Sequence, residues 1–176
     1  MRESILFIAM SLDGYIADRN GGVDWLAGQG NESETIDVYG QFSKDIDTVF
    51  MGCKTYNQVV TELSPEKWPY EEFTTYVFTH RKQESSEKIC FTQEHPAELL
   101  KKLKLEQGKN IWICGGAYLA QQLIQEDLLD QYYISVIPVI LGGGVRLFEE
   151  TQKEIKLKLQ KTQSYNGITD LIYTRR

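Results

Sequence analysis

The chain has 176 residues, 41% of them hydrophobic and 25% charged, and a formal net charge of -6. That length fits one domain, 1–176, with its own core. The acidic balance leaves no basic footprint for nucleic acid and no pull toward an anionic membrane surface, and no apolar run approaches the roughly 20 residues of a membrane span.

Three cysteines (Cys53, Cys90, Cys114) lack paired spacing, and neither histidine, His80 nor His95, sits in a ligand motif. A disulfide framework and a metal centre are therefore not expected, and reduced thiols in a cytoplasmic protein are. The first residues, Met1-Arg2-Glu3-Ser4, carry acid early and do not read as a signal peptide.

In chain order, residues 5–10 are continuously apolar and predict a central strand covered on both faces. Asp13-Gly14 is turn chemistry. Residues 18–31 form a polar, glycine-rich loop interrupted by Trp25-Leu26, long enough to act as a cover. Residues 32–43 predict a helix with Ile36, Tyr39 and Phe42 on one side. A second strand over 48–51 turns at Gly52 into a helix running to about residue 62. Residues 75–79, rich in β-formers, predict a third strand that empties into His80-Arg81-Lys82. A short strand over 88–92 follows. Pro96 then opens a helix to about residue 106.

Residues 111–114 are the next strand. It ends at Gly115-Gly116, and a helix begins at once and runs to about residue 126. A long apolar strand, 131–140, is broken by Pro138, a glycine corner occupies 142–144, and a strand resumes over 146–148. Residues 155–162 alternate as a half-exposed strand, and Asn166-Gly167 signals a hairpin into a last strand over 168–174.

Strands alternating with helices, then a run of antiparallel strands, predict an α/β fold. It has one mixed, mainly parallel sheet with helices on both faces. Ligands in such sheets gather beyond the carboxyl ends of the strands. Three of those ends (Met51-Gly52, Thr79-His80 and Cys114-Gly115) point glycine, hydroxyl or base at that space. The last is followed by a helix start, whose first amides have no helical partners and attract a phosphate.

The pattern resembles the three-layer dihydrofolate reductase-like fold. It is more closely similar to the reductase domain of the bacterial riboflavin-biosynthesis deaminase-reductase. The matching pieces are Ala9-x-Ser11-Leu12-Asp13-Gly14-Tyr15-Ile16-Ala17, Met51-Gly52-Cys53-Lys54-Thr55-Tyr56, Gly115-Gly116-Ala117 and Leu128-Leu129-Asp130, together with Pro138-Val139-Ile140-Leu141-Gly142-Gly143-Gly144-x-x-Leu147-Phe148. They keep family order over nearly the whole chain.

The resemblance implies NADPH as hydride donor to a small heterocyclic substrate. It implies that Ala9 and Ile16 flank the nicotinamide, and that Gly52, Lys54 and Thr55 face the cofactor phosphates. Thr79, His80 and Arg81 would lie by the adenosine end, and Gly115, Gly116, Ala117, Tyr118 and Leu119 would wrap the pyrophosphate. The alternative for Lys54 and Arg81 is a solvated surface charge, and their place at strand ends favours cofactor contact.

On the substrate side, Asp13 either holds its turn or positions the substrate and assists proton delivery. Trp25 either packs or serves as the tryptophan of a substrate loop. Asp37 stands about one residue out of register with the acid of dihydrofolate reductases. Two departures stand out. Cys114 replaces the glutamate that meets substrate in the riboflavin-pathway reductases, and Cys53 replaces an arginine. They leave open a non-catalytic nucleotide-binding module. A homodimer through 131–148 is a further expectation.

Overall fold

The structure, a computed structural model, describes residues 1–30 and 32–176. The first apolar run becomes β1 (Ser4–Ser11), and a short β2 (Tyr15–Ala17) follows its turn. Then come α1 (Val38–Ser43), β3 (Ile46–Gly52), α2 (Cys53–Gln58), β4 (Thr74–Phe78), β5 (Ile89–Thr92) and α3 (Pro96–Leu105). The chain continues with β6 (Asn110–Gly115), α4 (Ala117–Gln125), β7 (Gln131–Ile137), β8 (Val145–Arg146), β9 (Leu157–Tyr165) and β10 (Ile168–Arg175).

Eight strands form one sheet in the order β5-β4-β3-β6-β1-β7-β10-β9. The pairs from β5 to β7 are parallel, and the two pairs made by β10 are antiparallel. The strand period of two splits the core into layers. Leu6, Phe50, Ile111, Ile113 and Ile134 pack with α3 and α4 on one face. Ile5, Val49, Met51, Trp112 and Tyr133 pack with Val38 of α1 and Val59, just after α2, on the other. Burial on both faces explains why β1, β3 and β6 read as unbroken apolar runs.

Five local expectations change. The helix over 32–43 is a single 3-10 turn at Glu32–Glu34 and then α1. Asp37 stops a continuous helix, because its side chain accepts from the Gly40 amide at 2.9 Å and caps α1. The loop over 18–31 holds a 3-10 turn, Asp24–Ala27, and its last residue, Asn31, lies outside the described residues. The strand over 155–162 runs instead to Tyr165, carried there by its ladder with β10. β7 stops at Ile137, since Pro138 brings no N–H to the ladder. β2 and β8, read as turn and strand end, pair as a two-stranded ribbon.

Candidate functional site

The site begins where β3, β4 and β6 end side by side. Gly52 pairs with Phe78, and Met51 pairs with Gly115. Gly115 has φ +114°, a conformation glycine takes without strain, and the peptide to Gly116 is cis. A Cβ on Gly116 would sit 3.1 Å from Thr55 Oγ1, and one on Gly52 would sit 3.5 Å from the Gly116 amide nitrogen. The two strand-to-helix junctions therefore meet backbone to backbone. The first helical bond of α4 runs from Ala120 N to Gly116 O, so the amides of Ala117, Tyr118 and Leu119 precede it. Leu119 turns its side chain into the core at 3% exposure, while Tyr118 is 75% exposed.

The segment after β4 closes the third side. Thr79 N donates to Thr92 O, and Arg81 N donates to Thr79 Oγ1 at 3.1 Å. The Gln83 side chain reaches Cys53 Sγ at 3.9 Å, which brings this segment against the first residue of α2. His80 and Arg81 are exposed, as is Lys54. Lys54 and Arg81 have no ion-pair partner among the described residues. Residues 52–55, 79–83 and 115–119 thus share one margin of the sheet.

β1 ends beside them. Ala9 pairs with Ser135 of β7, and Ile8 lies 3.4 Å from where a Gly115 Cβ would be. Ile16 is half-buried on β2, packed against the α3–α4 side of the core. Asp13 accepts from Ser11 Oγ at 2.6 Å, from Leu141 N at 3.1 Å and from Gly142 N at 2.8 Å. Its pKa is lowered, first by the Ser11 hydroxyl; desolvation opposes this, and the Gly142 and Leu141 amides add to the lowering. At neutral pH Asp13 is a carboxylate clamped between the end of β1 and the 141–142 corner.

On the α1 side an aromatic layer faces the same strand ends. Phe7 stacks on Phe42 at 4.1 Å between centroids, and Trp112 meets Tyr70 edge-on at 5.3 Å. The Tyr70 hydroxyl lies close enough to the Cys114 thiol to influence it electrostatically. Burial pushes that thiol up to about 12, so it stays protonated at neutral pH. Trp25 is half-buried and donates from Nε1 to Gly22 O at 3.1 Å. A cleft of about 550 Å³ opens between the Trp25 segment and α2, lined by Asp18, Asn20, Asp24, Lys54, Gln58 and Glu62. Asp37 is committed to its cap, so it does not serve this layer as a free acid.

Sequence reasoning passed over Asp170. Its side chain is fully buried and accepts from Tyr133 OH at 2.9 Å, Ser135 Oγ at 2.7 Å, Gln163 Nε2 at 2.8 Å and Tyr165 OH at 3.3 Å. The signal available was a carboxylate in the middle of a strand, two residues from Ile168 and from Ile172. Tyr70 was likewise hidden in a loop of mixed composition. Among the described residues no group of three or more His, Cys, Asp or Glu is placed to hold a metal ion. No helix there is long and apolar enough to cross a membrane.

Comparison with known proteins gives four results. The family model of the RibD C-terminal domain matches residues 2–173. The uncharacterized protein YwjB of Bacillus subtilis (strain 168) is 41% identical over 175 residues, which span 99% of this chain and 98% of that protein. A solved protein of Shewanella sp. PV-4 named for riboflavin biosynthesis superposes with a TM-score of 0.85 at 29% identity, covering 99% of each chain. The dihydrofolate reductase of Enterococcus faecalis, solved with NADP(H), is 18% identical with a TM-score of 0.71, covering 99% of this chain and 96% of its own. At that identity it shows a shared fold.

Proposed function

The chain belongs to the RibD C-terminal domain family and shares its reductase-type character. From that premise we propose that it is an NADPH-dependent reductase of a small, planar heterocyclic substrate. The observation that carries this reading is the meeting of Gly52, Thr55 and Gly116, a cradle that any Cβ would narrow. It fits a pyrophosphate held by backbone donors. Gly52, Thr55 and the amides of Ala117, Tyr118 and Leu119 hold the phosphates, with Gly115 leaving the approach open. Lys54 lies beside them. Thr79, His80 and Arg81 lie at the far end, where a 2′-phosphate is met by cation and hydroxyl. Ala9 and Ile16 flank the nicotinamide.

Bound there, the cofactor supplies a hydride. The chain's own work is positioning and exclusion of water. In the aromatic layer the exposed Tyr39 offers a flat face to a ring, backed by Phe42, Tyr70 and Trp112. Trp25 and its segment cover the strand ends. Asp13, ionised and triply hydrogen-bonded, holds the corner that frames the site, a positioning role. Titrating purified protein with NADPH and following nicotinamide fluorescence tests the reading. Saturable binding is expected, and none at millimolar cofactor overturns it.

One observation favours a second reading. Cys114 brings a half-buried, un-ionised thiol where the riboflavin-pathway reductases carry a glutamate. A non-catalytic nucleotide-binding module would bind NADPH and reduce no pterin, pyrimidine or flavin. Oxidation of NADPH by any of these decides for the enzyme. We also propose a cytoplasmic homodimer built through 131–148, and a monomer in sedimentation at micromolar concentration would remove the dimer.

A further inference from the structure

We infer that Asn166, at the tip of the β9–β10 hairpin, and Asp170 below it are positioning residues that hold the covering segment 21–30 over the site before any ligand arrives. The inference rests on the reductase reading for what the segment covers.

The segment cannot place itself. Its one regular turn, Asp24–Ala27, contains no buried residue, and Leu26 is 38% exposed. Apolar anchoring, the usual hold on a chain segment, is limited to the half-buried Val23 and Trp25. Its position comes from polar contacts made by other elements. Gln58 on α2 donates from Nε2 to Gly21 O at 2.9 Å. The hairpin tip does the rest. Asn166 O accepts from Gln29 N at 3.0 Å, and Asn166 Nδ2 donates to Ala27 O at 3.2 Å. Asn166 is only 6% exposed, although it is a turn residue. The fit is close on both sides. A Cβ on Gly28 would fall 2.6 Å from Asn166 O, and one on Gly167 would fall 2.7 Å from the Gln29 side chain.

A strut must itself be fixed. Asp170 supplies that fixity four residues below the tip. Its carboxylate gathers donors from β7 (Tyr133, Ser135) and from β9 (Gln163, Tyr165), so both hairpin strands are tied to the sheet interior. None of these donors is a cation: three hydroxyls and one amide converge on the two carboxylate oxygens. Removing the carboxylate would leave these four donors without their shared acceptor. It sits under the tip that carries the cover.

The test uses the full chain and two readouts. Asn166→Gly removes the carboxamide while tolerating the positive φ of 48°. Gly28→Ala spoils the dock from the other side and leaves the hairpin untouched. In each variant, hydrogen exchange of 21–30 should rise at least about tenfold while the β1, β6 and β7 amides stay protected. Acrylamide quenching of bound NADPH fluorescence should rise about threefold with NADPH affinity unchanged, because solvent now reaches the covered face. Asp170→Asn should act in the same direction with a smaller change. Unchanged exchange in the segment, or exchange that rises only together with the whole sheet, overturns the inference. Failure of wild type to bind NADPH sinks the reductase reading instead, and the exchange arm alone then decides whether the hairpin holds the segment.

Discussion

The cradle at the ends of β3 and β6 and the wall on the α1 side are built by different means. The cradle is local. Each half is a strand, a glycine and a helix start within about six residues, and the backbone itself presents the donors. The wall is assembled from afar. Trp25, Tyr39, Tyr70 and Cys114 come from four separate parts of the chain. What differs is where the information lies. A backbone site needs small residues at fixed places, whereas a side-chain wall needs the whole fold to bring its parts together.

Breaking the cradle should have the largest effect. Gly116→Val places a branched side chain where even a Cβ lies 3.1 Å from Thr55 Oγ1. NADPH affinity should fall about 100-fold, roughly 2.7 kcal/mol, by fluorescence titration. An affinity within threefold of wild type would show that the phosphates sit elsewhere. Next comes Arg81→Ala. It should weaken NADPH about fivefold, roughly 1 kcal/mol, and leave NADH unchanged, since an exposed cation acting on one phosphate contributes no more than that. Equal losses for both cofactors would remove Arg81 from the 2′-phosphate.

The same contrast explains how much was legible in the sequence. Gly52 and Gly115-Gly116 stand next to their strands and helices, so the junctions could be read directly, and the parallel order of strands followed from the alternation of elements. The wall could not be read that way. Asp37 looked like part of a helix because Ile36, Tyr39 and Phe42 keep helical spacing. Its capping bond to Gly40 N is a local preference that outweighed the period. Tyr70 lies in a segment with Pro65 and Pro69, where no periodicity marks the residue that will reach Cys114. Asp170 alternates correctly within its strand, yet its four donors come from positions 5 to 37 residues away. The β2–β8 ribbon joins residues 15–17 to 145–146, a pairing no local pattern announces.

Asp13 bridges the two regions, because it fastens the end of β1 to the 141–142 corner. Its folded pKa is depressed, so its contribution to stability is complete above the unfolded value of about 3.9 and is lost as pH falls through the folded one. Asp13→Asn should therefore lower the melting temperature modestly at pH 7 and bring the variant and wild type together as the pH falls through the depressed folded value. A gap that persists at low pH would mean that the charge is not what holds the corner.

The smallest expected effect is an absence of reaction, and it bears on the wall. Cys114 heads the α4 junction, a place where a helix start ordinarily lowers a thiol's pKa. In this fold desolvation outweighs that pull and the thiol rises to about 12, with the Tyr70 hydroxyl close by. Iodoacetamide at pH 8 should leave Cys114 unmodified in the folded protein, as read by peptide mass, while unfolded chain reacts at all three cysteines. The rate at Cys114 should climb with pH and reach no plateau below about 11. Tyr70→Phe removes the hydroxyl but keeps the ring, and labelling at pH 8 should stay negligible, because burial is the dominant cause. Ready modification of Cys114 at pH 8 would make the strand end wet and its thiol available. The junction would then act on the substrate through a nucleophile, and the wall would no longer be the inert partner of the cradle.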